Sequence, residues 1–421
     1  MLAWLYSTRA FAALGARNFR IFIFGQVVSL VGTWMQRLAM SWLVLRLTGS
    51  AAGLGLIELS NQAPILVTGF LAGTILDRYD MKKILIVTQS LCMVQAFALA
   101  MLDFSGAIRY SQVLLLSIML GVIASVDMPA RQSCVPRMLD DKSQLNSALT
   151  INSAVFNLAR LIGPALGGFA LQAIGEAACF LLNGVSFMTV IYSLTKLKIR
   201  HVQSASRQNG WKSFKEGLLY AKDFEVLRKM LTLSALFFFI SNPFTTLLPF
   251  FAKNIFDSSA SALGFFMGSV GLGAVIGVIY QASFVAVERL HRRVVLSVAV
   301  YGIGIISFAC SRSVMFSCFS LTLLGFGLST GAVCFNTVIQ SVIDENKRGR
   351  VMSLYAICNI GIGPLGSLAA GVLADIAGGT FAGVFFGLCA VILSFFMNKN
   401  MHRIEKQILR ILKEKGLVGI R

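Results

Sequence analysis

Charge is what this chain has least of. Only 13% of its 421 residues are charged, and carboxylates are the scarcer sign, 18 Asp and Glu against 37 Lys and Arg. A soluble globule of this length needs far more polar surface than that. With 56% hydrophobic residues and a mean hydropathy of +0.77, the chain belongs in a bilayer. Histidine is also rare: His201, His291 and His402 all fall in polar stretches, so no metal site and no Ser/His/Asp or Cys/His catalytic arrangement is expected. The eight cysteines include no C-x-x-C pair, and seven lie inside apolar runs, which makes them small packing residues rather than redox or metal groups. No Gly-Lys dipeptide occurs, so there is no loop to cradle nucleotide phosphates. An enzyme and an ATP-driven pump built on this chain alone are both disfavoured, and no cofactor is expected. The net charge of +19 does not indicate nucleic acid, because the cations are scattered through short loops instead of lining one aromatic-interleaved groove.

What is present is a series of apolar runs of membrane-spanning length. They cover roughly 19–46, 51–76, 84–102, 110–132, 146–173 and 177–196, then 229–252, 260–286, 294–310, 314–342, 351–374 and 379–398. Six plus six runs, with no ten-residue alternating pattern, predict an all-α integral membrane protein of 12 transmembrane helices, since helices satisfy their own backbone inside lipid. Gly163-Pro164 recurs as Gly363-Pro364, 200 positions on, which suggests two homologous six-helix halves. Such repeats are a recurring build of secondary transporters, with the substrate site between them. The expected segments are a lead-in at 1–18, bundles at 19–197 and 229–398, a linker at 198–228, and a tail at 399–421. In the linker Trp211, Phe214, Leu218 and Leu219 mark one face of an interfacial helix; in the tail Ile404, Ile408, Ile411 and Leu412 do the same. Glycine pairs at i, i+4, namely Gly69/Gly73, Gly264/Gly268 and Gly273/Gly277, would let helices approach closely.

If the N-terminus is inside, 31 of the 37 Lys and Arg lie on the inner side, and only Arg46, Arg109, Lys253 and Arg312 lie outside. The positive-inside rule therefore places both termini in the cytoplasm. The remaining two, Arg37 and Arg160, fall within spans. Arg37 is nine residues before Arg46, and Glu58 eight after Ser50, so at ~1.5 Å per residue both lie roughly 12–14 Å below the outer surface. An intramembrane charge is costly and marks a functional candidate. Arg37 and Glu58 are thus read as a proton-coupling pair, with a fixed salt bridge as the alternative. Asp127, near the inner end of the fourth run and beside Arg131, is the competing carrier.

The loop from Gly73 through Asp77, Arg78, Asp80, Lys82 and Lys83 resembles the signature loop of the major facilitator superfamily, with Asp80 where that pattern has glycine. Gly163, Pro164, Gly167 and Gly168 resemble the end of its antiporter motif, although Thr150 and Ala159 replace the motif's earlier glycines. Trp34-Met-Gln36-Arg37 through Trp42, with Asp127 through Pro129, Arg131 and Pro136 and Leu145-Asn146-Ser147-Ala148, is similar to the branch that holds the enterobactin and macrolide exporters. The resemblance implies the major facilitator fold and a bacterial inner-membrane exporter driven by an ion gradient, with protons as the expected ion. It also implies a gating role for Asp77, and cavity walls that include Gln36, Asn242 and Asn336; Arg131 ends the fourth run at a depth similar to Asp77 and, with Arg78, is read as part of the same gate. The expected partners are a small amphiphilic substrate (siderophore or drug), protons and the lipid bilayer, with no nucleic acid, and a monomer is expected. An importer of a small metabolite and a non-transporting receptor or assembly platform stay open as alternatives.

Overall fold

The computed structural model describes residues 11–198, 210–256, 260–283 and 290–414. Among these the regular structure is helical. In chain order α1 is Arg17–Thr48, α2 Ala51–Arg78, α3 Met81–Phe104, α4 Tyr110–Cys134, α5 Leu145–Lys196, α6 Gly210–Asp223 and α7 Glu225–Ser241. There follow α8 Phe244–Asn254, α9 Ala260–Ala282, α10 Leu290–Cys310, α11 Val314–Val342, α12 Arg348–Ile357, α13 Gly363–Ala377 and α14 Gly379–Glu414. Ten stretches are long and apolar enough to cross a membrane, taking α7 with α8 and α12 with α13 as one each. One of them, α5, is 52 residues long and breaks at Gly175, where φ is +83°, so it supplies two crossings. The 28-residue α2 supplies another of spanning length. The described residues form an all-α multi-pass membrane protein of 12 spans.

Gly378, between α13 and α14, has φ +91°, and it stands 203 positions after Gly175. A left-handed residue is cheap only as glycine, so the same device turns the chain at corresponding points of the two sequence repeats. Just before Gly363-Pro364 a π turn at Cys358–Ile362 interrupts the helix, a common accommodation near a proline that cannot donate.

The contacts define two units. The first takes Met1–Thr48, Ser60–Arg207 and Ser259–Gly268; the second takes Gly49–Leu59, Gln208–Ser258 and Ser269–Arg421. In the first, α5 lies along both α1 and α3. One end of it is an apolar cluster that includes Phe19, Phe22, Leu85, Cys134, Met138, Val190 and Leu194. In the second, α10 packs on α11 and α14. There the Phe237 ring centre lies 5.5 Å from Phe335 and 6.4 Å from Tyr301, whose hydroxyl donates to the Ser241 carbonyl at 2.9 Å. The cysteines are all unpaired, and Cys92, Cys134, Cys179, Cys334 and Cys358 are buried as small packing groups.

One expectation about the polar segments changes in detail. Helix α14 runs from the last span to Glu414 without a break, so the tail extends the span instead of starting a separate helix. In the linker, α6 exposes Leu218 and Leu219 as the pattern suggests, while Glu216 holds Arg350 at 2.9 Å. The side chains of Trp211, Ile404, Ile411 and Leu412 lie outside the described ones.

Candidate functional site

Polar side chains inside the spans of the first unit fall into three groups. The first lies toward the end of the unit that holds the apolar cluster of Phe19 and Phe22. Asp127 of α4 is 6% exposed and accepts from Thr88 Oγ1 at 2.7 Å, Gln89 Nε2 at 2.8 Å and Arg131 Nη2 at 2.5 Å. Arg131, one turn on, also donates to Gln26 Oε1 of α1. Three helices therefore supply donors and acceptors to one buried ion pair, replacing the hydration that the bilayer denies it. Arg131, expected at the gate, is committed here within its own unit. Arg78 is exposed, and the Asp77 side chain lies outside the described ones.

The loop after α2 explains how Asp80 stands where glycine is usual. Its φ of −62° and ψ of 124° are ordinary for any residue, and its carboxylate accepts from the Lys83 amide at 3.1 Å as the N-cap of α3. Lys82 donates to the Thr195 and Leu197 carbonyls at 2.9 and 2.8 Å, tying the loop to the end of α5.

The second group is neutral. Gln36, expected at a cavity wall, is 6% exposed and spends both ends of its amide on neighbours, donating to Gln95 Oε1 at 3.0 Å and accepting from Asn183 Nδ2 at 2.7 Å. Its place is a joint between α1, α3 and the second arm of α5.

The third group lies where α1 meets the first arm of α5. The Arg37 guanidinium stands 5.2 Å from the Trp34 ring centre, and Trp34 meets Phe156 edge-on at 5.9 Å. A Cβ added to Gly163 would lie 2.6 Å from Trp34 Cβ, and one at Gly167 would lie 3.0 Å from Met35 Cα. On the other side, a Cβ at Gly168 would meet the Ala260 carbonyl at 2.9 Å and the Gly264 Cα at 3.0 Å. The glycines of the α5 motif thus mark contacts at backbone distance on two neighbouring helices.

In the second unit, Glu58 is half-buried in the N-terminal half of α2. Asn242 sits at the break between α7 and α8 with its amide against Gly363, and its carbonyl accepts from Ser367 Oγ at 3.0 Å. Asn336 accepts from Gln340 one turn along α11. An unforeseen residue here is Asp375 of α13. Its oxygens accept from the Ala51 amide at 2.7 Å, the Ala52 amide at 3.0 Å and the Ser50 hydroxyl at 2.5 Å, so it caps the start of α2 from more than 300 residues away. A lone acid at the end of an apolar run was the only signal for it.

Spanning helices that carry an enclosed ion pair and backbone-close glycine contacts have their counterpart among membrane transporters, and the comparisons with known proteins agree. Over residues 8–409 the chain matches the family described as transmembrane secretion effector, and it belongs to that family, within the major facilitator superfamily. It is 25% identical to the staphyloferrin A transporter of Staphylococcus aureus over 88% of this chain and 94% of that one. It is 26% identical to the multidrug efflux pump Tap of Mycobacterium tuberculosis (85% and 87% covered), and 23% identical to macrolide efflux protein A of Streptococcus pyogenes (83% and 88%). Among solved structures, the nucleoside transporter NupG superposes with a TM-score of 0.70 at 13% identity, covering 91% of this chain and 98% of that one. That likeness concerns the fold alone.

Proposed function

We propose that the protein is a proton-driven exporter of a small amphiphilic molecule, a siderophore or a drug, working by alternating access as a monomer. Its place is the bacterial inner membrane, with both termini in the cytoplasm. The relatives' names, a siderophore transporter and drug efflux pumps, support the substrate class. The Lys and Arg asymmetry supports the orientation.

The observation that carries the coupling assignment is the full engagement of Asp127. Three donors hold its two oxygens, which suits a fixed lock between α1, α3 and α4. Glu58, the other acid inside a span, is then the proton carrier, and Arg37 the cation whose disturbance by substrate favours protonation. Asp77 and Arg78 serve the inner gate. Measuring pH-driven transport and substrate exchange in proteoliposomes tests this: Glu58→Gln should lose proton-driven transport and keep exchange. Full proton-driven transport by the variant would refute the assignment. Drug-challenged growth, set against accumulation of labelled substrate in vesicles, separates export from import.

A further inference from the structure

Arg160 is the cation that the scheme above leaves unused. It lies in α5 fifteen residues after Leu145 and fifteen before the break at Gly175, so it stands ~22 Å of helix from either end. That is too far for its head to reach an interface by snorkelling, and a charge at such a depth calls for a counter-charge. Among the described side chains of its unit, Asp80, Asp103, Asp127 and Glu176 are engaged elsewhere. Asp103 and Glu176 hold Arg46, Asp127 holds Arg131, and Asp80 caps α3, while Asp140 and Asp141 lie in the loop before α5. Arg37, a like charge, stands over Trp34, which packs against this part of α5.

The setting of the two arginines is built. Phe156, one turn before Arg160, touches Trp34; Gly163, one turn after it, lies against the Trp34 Cβ. Arg160 therefore lies on the α5 face that meets Trp34, the residue over which Arg37 stands. Arg160 as a whole residue is half-buried, and Arg37 and Phe156 beside it are exposed.

We propose that Arg160, with Arg37 beside it, is an anion-binding subsite of the first unit, and that the transported molecule is an amphiphile carrying a carboxylate. The carboxylate takes the guanidinium fork, and the apolar part lies against Trp34 and Phe156. Neutral macrolide-like molecules and cationic drugs do not meet this requirement, whereas a carboxylate-bearing chelator does. The inference rests on the transporter reading and names its substrate class.

The test is binding, so that it fails separately from export. Purified protein in zwitterionic nanodiscs is titrated with citrate and with 1-naphthylacetate, each beside its neutral methyl ester, and followed by thermal shift and tryptophan fluorescence. The wild type should bind at least one carboxylate ten or more times more tightly than its ester. Arg160→Gln should erase that preference, and Arg160→Lys should keep most of it. Equal binding of acid and ester by the wild type would overturn the proposal, as would a preference unchanged in folded Arg160→Gln. If Arg160→Gln does not fold, the acid-to-ester ratio of the wild type and of Arg160→Lys decides alone. Retained carboxylate preference without export in cells would leave the subsite standing and sink the exporter reading.

Discussion

Asp127 shows how a single residue's surroundings assign its role. Removing one partner of a buried ion pair strands the other, at a cost of about 3–5 kcal/mol where both are buried. Arg131 keeps 24% of its side chain exposed, so Asp127→Ala should fall at the lower end of that range. The unfolding midpoint of the purified protein checks this, and Asp127→Ala with Arg131→Leu should recover part of the loss. Asp127 was legible in the sequence because a carboxylate inside an apolar run is rare. Thr88, Gln89 and Gln26 were not legible as its partners, because hydrogen bonds between helices leave no periodicity. Gln36 makes the same point from the other side. Its residue type suits a solvated wall as well as a joint, and only the positions of Gln95 and Asn183 decide between them.

Among the helices, backbone proximity separates glycines that spacing treats alike. Gly167 has Met35 backbone 3.0 Å from its would-be Cβ, whereas Gly69 has nothing within 4 Å. Gly167→Leu should abolish transport while expression stays measurable, and Gly69→Ala should leave transport near wild type; a radiolabelled efflux assay with a membrane blot reads both. Gly273 and Gly277 are tight against α11, Gly268 is looser, and the Gly73 side of its pair lies outside the described residues. Small residues facing lipid and those facing a helix look identical in sequence, so the pattern gave candidates without ranking them. The Asp375 cap belongs at this scale as well. A carboxylate at a helix start accepts from exposed amides and complements the dipole, a contribution of about 1–2 kcal/mol. Asp375→Ala should lower the unfolding midpoint accordingly and raise the rate at which maleimide labels a Ser50→Cys variant. An unchanged labelling rate would show that the cap does not hold the start of α2.

For the molecule as a whole, span number and approximate limits could be read from apolar run length, because lipid forces backbone bonding into helices. The turning glycines could not be read as such, since φ is invisible in a residue name; Gly175 and Gly378 stand out only once their backbones are seen. Orientation is testable directly. Cys310 is exposed at the end of α10, so it must first become serine. In that background, cysteine at Arg109 or Arg312 should react with an impermeant maleimide added to whole cells, and cysteine at Lys347 should react only after lysis. The reverse pattern would invert the topology. The unbroken α14 has a mechanical meaning beyond its topology. Thirty-six residues make a rod of ~54 Å. Ile408 near its inner end is buried, and Gln407 reaches Glu225 at the start of α7. Such a rod is a lever: a tilt of about 10° in the last span would sweep the far end through roughly 9 Å, if its rise per residue is kept. Motion in the bilayer would thereby arrive at the root of α7 as torque.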